Sequence, residues 1–158
     1  MKATVDTSVL IALGKLGYLK DVKKLFDRLI IAESVFEEIK DSEVLDQVSG
    51  LIKGESAVVV KSGRGDLQGM LAFNLGKGEA ETVALALETE ADFAMLDELK
   101  ARRLARRFNL KVVGTLGIIK SLIDAGLVKE DPESLCERLI EQGFWVGREL
   151  CINVLRKV

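Results

Sequence analysis

Short apolar runs alternate with helix-patterned stretches along the whole chain, and that alternation limits the fold more than any other feature. The runs are "ATV" (Ala3–Val5), "LIIA" (Leu29–Ala32), "AVVVK" (Ala57–Lys61), "DFAML" (Asp92–Leu96) and "LKVVG" (Leu110–Gly114). Several are β-branched and too short for anything but buried strands. Strands separated by helices pair in parallel, and a parallel sheet needs helices on both faces. The chain therefore reads as an α/β protein, one domain over residues 1–158, with no linker, repeat or low-complexity tract. At 158 residues it can bury roughly 70% of the surface its unfolded chain exposes.

Between the runs, helices are predicted over Ser8–Leu16, Asp21–Leu29, Val44–Ile52, the "GKGEAETVALALE" stretch, "ELKARRLARRF" and "TLGIIKSLIDA". Ser34, with Glu37 three residues on, has the pattern of a capping box opening "SVFEEIK". Asp131–Pro132 is an N-cap followed by proline at the first helical position. "KSGRGDLQG" reads as a mobile glycine-rich loop, and "GFWVGRELCINVLRKV" as one closing helix with an apolar face.

The chain has no histidine, which removes Ser–His and Cys–His catalysis and most zinc chemistry. A net charge of -2 gives no general attraction to nucleic acid or lipid, so any basic surface must be local. No apolar run approaches membrane-helix length, and the chain starts strand-like without a signal-type region, so a cytoplasmic protein is expected. Cys136 and Cys151, without CxxC spacing, read as buried free thiols in that setting.

Any chemistry must then rest on carboxylates. In open parallel sheets, ligands sit beyond the carboxyl ends of strands, where helices begin. Asp6 follows the first run, Glu38 lies in the helix after "LIIA", Glu79 starts the "GEAETVALAL" helix, and Asp97 follows "DFAML". Each has a plain structural reading as a helix cap or first-turn acid. Thr7 or Ser8 can cap as well as Asp6, however, and the supposed box occupies Glu37 and leaves Glu38 free. Converging acids would raise one another's pKa unless cations neutralise them, and oxygen-preferring Mg²⁺ or Mn²⁺ suit such a set. Ions of this kind holding a phosphodiester and activating water are the physics of many nucleases.

"VDTSVLIAL", "SVFEEI", "GKGEAETVALALE", "LDELKAR" and "VVGTLGIIKSLIDAGLV", in this order and spacing, resemble a PIN-domain protein of the prokaryotic, largely archaeal branch related to VapC-type toxins. The resemblance covers essentially the whole chain. It implies a three-layer α/β/α sandwich with a mostly parallel sheet, a Mg²⁺- or Mn²⁺-dependent ribonuclease site and hydrolysis leaving a 5′-phosphate. It also implies homodimers and, for a toxin, an antitoxin partner. Asp6, Glu38 and Glu79 match the family's first three acids, the third often being Asp in relatives. Asp97 matches the fourth, with Glu98 in reserve, and Thr115 falls in the branch's "GT".

"KARRLARRF" sets Arg102 with Arg106, and Arg103 with Arg107, at i,i+4 beside Asp97. Arg102, Arg103 and Arg106 are the candidate phosphate contacts, against the simpler reading of a solvated face in which Glu98 supports Arg102. Aromatics are too sparse for a stacking platform. "GKGE" is no P-loop, "RGD" is a chance match, and a phosphatase of the haloacid-dehalogenase kind would need Asp where Ser8 stands. The competing reading is a catalytically silent PIN-like module that binds RNA or a protein.

Overall fold

In the computed structural model, which describes residues 1–157, the strand nearest the N-terminus lies at the centre of the sheet. The strands are β1 (Lys2–Val5), β2 (Arg28–Ala32), β3 (Ala57–Val60), β4 (Phe93–Met95) and β5 (Val112–Val113), in spatial order β3-β2-β1-β4-β5. Every pairing is parallel, with Ala3 opposite both Leu29 and Phe93. The chain winds outward from β1 to β3, returns to place β4 on the other side of β1, and winds outward again. The order thus reverses between β1 and β4, and the crevice at such a reversal is where open α/β sheets take ligands.

Two apolar clusters cover the two faces. The larger gathers sheet residues such as Val5, Leu29 and Ile31 with α1 (Thr7–Leu16), α2 (Leu19–Val22), α4 (Ser42–Lys53), α8 (Thr115–Asp124), α9 (Pro132–Glu141) and α10 (Arg148–Arg156). The smaller joins Ala94 and Leu96 to α5 (Gly65–Ala72), α6 (Lys77–Glu88) and α7 (Leu99–Arg107). The remaining helix, α3 (Glu33–Glu38), directly follows β2 and packs on α6. This is the α/β/α sandwich of the sequence reading.

Local differences have physical causes. The helix expected over Asp21–Leu29 is only α2, because the sheet takes Leu29, which pairs with Ala3 and Ala57 in β2. The "KSGRGDLQG" stretch is no open loop: it enters α5, which runs on through "MLA", buries Leu71 and packs against α6. The closing helix is shorter than expected. "GFWVG" is a connection between α9 and α10, while Val158, included in that expectation, lies outside the described residues.

The cysteines are not free thiols. Helices α9 and α10 pack together, bringing the Cα atoms of Cys136 and Cys151 to 6.0 Å, and the two form a disulfide with both residues fully buried. A bridge 15 residues apart in sequence is worth about 3 kcal/mol by loop closure. Cys136→Ser/Cys151→Ser should therefore melt roughly 6–12 °C below the oxidised protein. Equal melting temperatures in calorimetry with and without reductant would show that the bridge contributes nothing.

Candidate active site

Asp6 occupies the N-cap position of α1, yet its side chain caps nothing. It is 6% exposed at the carboxyl end of β1, on the rim where β1 meets β4, and its backbone N–H donates to the Met95 carbonyl at 3.1 Å. A carboxylate buried there without a capping bond is costly, and the cost appears in its pKa. Burial is the largest cause, and the charges of Glu79, Glu38 and Asp97 add to it. The Thr7 amide pulls the other way, and the carboxyl is left at about 7. The three other predicted acids therefore all act on Asp6.

Each of the others is held by a neighbour. The Thr7 hydroxyl donates to Glu38 Oε2 at 2.8 Å across the gap between α1 and α3. Glu79, in the first turn of α6, accepts the Gly76 N–H at 3.1 Å. Its pKa is raised chiefly by burial, with lowering from the Gly76 amide and further raising from Glu98 and Glu38. Asp97 accepts the Thr115 N–H on Oδ1 at 2.7 Å, and the Thr115 and Ser8 hydroxyls on Oδ2 at 2.7 and 3.0 Å. Asp97 thus caps α8 from outside that helix, where the true N-cap residue, Gly114, has no side chain. Glu98 caps α7 through the Ala101 N–H at 2.9 Å, so the reserve acid has a local structural partner as well.

Asp6, Glu79, Asp97, Glu98 and Arg102 line one open groove of about 860 Å³. Glu38 lies on an adjoining concavity that shares Asp6 and Glu79. Among the described residues no three acidic or sulfur-bearing side chains form a ready-made metal cage. The donors are all carboxylate oxygens, a set that suits an oxygen-preferring divalent cation.

A family model described as a PIN domain matches residues 2–158. The chain belongs to the PIN-domain family. No curated protein sequence matches it. PIN domains are commonly nucleases that use divalent metal ions, and nuclease-type chemistry is what membership suggests in general.

Of the basic residues predicted for this PIN domain, Arg102 is the one that reaches the groove. Its Nε is buried without a hydrogen-bond partner, and among the described residues it forms no ion pair, with Glu98 or any other acid. Glu98 caps α7, and the i,i+4 support of the simpler, solvated-face reading is absent among the described residues. Arg103 and Arg106 are exposed and contribute nothing to the groove lining.

Two glycines let the PIN-domain rim close. A Cβ on Gly114 would stand 2.7 Å from Arg102 Nη1 and 2.9 Å from Asp97 Oδ1; one on Gly78 would stand 2.8 Å from Glu38 Oε1. Either side chain would displace an acid.

The capping box at Ser34 does not form. Helix α3 begins two residues earlier than a Ser34 cap would have it, its N-cap position is Ala32, and Ser34 gives both its N–H and its hydroxyl to Glu81 Oε1, at 2.9 and 2.6 Å. Glu81 Oε2 also accepts the Ser62 N–H at 3.1 Å. Glu81 is thus the residue that the sequence reading missed. It anchors α6, bearing Glu79, to α3, bearing Glu38. The only signal for it was its place two residues after Glu79, on a helix with a long apolar run.

Proposed function

We propose that this chain is a Mg²⁺- or Mn²⁺-dependent endoribonuclease, with residues 1–158 forming one PIN-like domain of the toxin–antitoxin type. The observation that carries the reading is Asp6: a buried carboxylate with no capping role, at the sheet's reversal, under the charge of three further acids. Such an arrangement is costly unless a cation compensates it.

Asp6 and Glu79 are the innermost acids, and Glu38 and Asp97 complete the set. A bound ion would supply charge neutralisation and activation of water for attack on phosphorus. The protein's own groups do the placing. Thr7 fixes Glu38, Thr115 and Ser8 fix Asp97, and Arg102 offers its guanidinium to a non-bridging phosphate oxygen as charge grows there. Hydrolysis on this scheme leaves a 5′-phosphate and a 3′-hydroxyl. Arg103 and Arg106, both exposed on α7, would meet phosphates farther along the strand. A cytoplasmic setting, a homodimer and an antitoxin belong to the same reading, and a small DNA-binding gene upstream would support the last.

The test is Mn²⁺ titration by calorimetry of the wild type and Asp6→Asn, followed by RNA cleavage in Mg²⁺. The wild type should bind Mn²⁺ stoichiometrically and cleave, while Asp6→Asn stays folded and does neither. Cleavage undiminished in Asp6→Asn would remove this site assignment.

A further inference from the structure

The connection that replaces the predicted start of the closing helix carries the chain's single tryptophan. Trp145 is 100% exposed, set between Gly143 and Gly147. Exposing a whole indole to water is costly, at about 25 cal/mol for each Å² of apolar surface left uncovered. Its neighbours are apolar too: Trp145, Leu99, Ile140, Phe144 and Leu150 line an open groove of about 830 Å³, and Leu99 and Leu150 are themselves more than half exposed. Asp97 lies at the edge of that groove. Asp97, Leu99, Phe144 and Trp145 also line the groove of Asp6, Glu79 and Arg102, so the two are continuous.

The combined surface asks for two things at once. Arg102 lines the groove and, among the described residues, forms no ion pair, so its guanidinium calls for an anion there. Trp145 presents a flat aromatic face that calls for another. A nucleotide in an unpaired strand carries both, whereas the bases of a duplex are already stacked and cannot present a face. We infer that Trp145 is a stacking platform for one unpaired base of the strand whose phosphate lies at Arg102. One exposed indole beside a phosphate site is enough for one base, even in a chain too poor in aromatics for a longer platform. The Cys136–Cys151 bridge joins α9 to α10 and so closes the segment that contains Trp145. The inference rests on the nucleic-acid reading of the groove but is tested apart from cleavage.

Because Trp145 is the only tryptophan, its emission reports this groove alone. The wild type is titrated in calcium buffer with a short oligouridine, with an abasic strand of equal length and with a duplex, while anisotropy of labelled strands reports binding. Oligouridine should change the emission saturably; the abasic strand and the duplex should leave it unmoved. Trp145→Ala should lose about ten-fold in affinity for oligouridine and none for the abasic strand, with Trp145→Tyr recovering part of the loss. Circular dichroism checks that both variants are folded.

Absence of oligouridine binding, or binding with unchanged emission, overturns the inference. So does an oligouridine affinity untouched in Trp145→Ala. A wild-type dimer that Trp145→Ala converts to monomer in sedimentation would make the groove a self-interface, and that also overturns it. RNA cleavage without an emission change would leave the nuclease standing and remove the platform. An emission change without cleavage would do the reverse.

Discussion

Asp6→Asn is expected to melt higher than the wild type when both are metal-free at pH 8. The wild-type carboxyl titrates at about 7 in the folded protein, against 3.8 as its ordinary value. The folded state therefore binds this proton more tightly than the unfolded state does. Stability is fully present below the unfolded value, falls as pH rises between the two, and is lost above the folded value. Holding Asp6 ionised at pH 8 costs about 4 kcal/mol on this basis. Asparagine has nearly the same shape and no charge, so it should recover most of that, or roughly 10 °C in melting temperature. Saturating Mn²⁺ should raise the wild type and leave Asp6→Asn unmoved, because only the carboxylate gains from the ion. Calorimetric melts at pH 5 and pH 8, with and without Mn²⁺, measure every part of this. A variant that melts below the wild type at pH 8 would show that Asp6 is not under charge strain.

Glu81→Ala is expected to have the largest effect of opposite sign. Three hydrogen bonds to a buried carboxylate disappear together, leaving the Ser34 and Ser62 amides without partners. Burial alone would raise the Glu81 pKa, but the Ser34 hydroxyl, the two amides and Lys77 outweigh it and hold the carboxyl below its ordinary value. Its contribution is thus present at neutral pH and is lost only as pH falls through that lowered value. Loss of the side chain should cost roughly 3–5 kcal/mol in urea unfolding at pH 7. Glu81→Gln should cost less, since it keeps one carbonyl acceptor but turns an NH₂ toward one of the donors. Because Glu81 joins α3 to α6, the alanine variant should also bind Mn²⁺ more weakly, through displacement of Glu38 from Glu79. Wild-type stability in Glu81→Ala would show that water replaces the carboxylate at no cost.

These two residues also mark the reach of sequence reasoning. Asp6 was legible because a carboxylate between a strand-like run and two hydroxyl residues has cheaper caps beside it, and the structure leaves it without a capping bond. The parallel sheet was legible because alternation repeats along the whole chain. Glu81 was hidden for the reason that made Ser34 misleading: the Ser-x-x-Glu pattern is local, while the acid that takes Ser34 lies 47 residues away. The cysteines were misread because pairing depends on how α9 and α10 pack, which spacing does not reveal. "GFWVG" looked like helix because its apolar residues suit one, yet Gly143 turns left-handed at φ 90° and breaks the run there. Arg103 lies on another side of α7 from Arg102, and Arg106, on the same side as Arg102, sits one turn farther along and outside the groove lining, a matter of packing rather than composition.

The position of β1 at the centre of the sheet has a consequence in time. Its neighbour β4 pairs with it across 90 residues of chain, Ala3 opposite Phe93, and Asp97 is oriented only when Thr115 is in place. During synthesis the first strand leaves the ribosome long before its second neighbour exists, at about 5–20 residues each second. The emerging chain therefore carries Asp6 for several seconds with no rim around it. A nascent copy still tethered to the ribosome therefore has none of its acidic centre assembled, and the centre forms only once the chain is nearly complete.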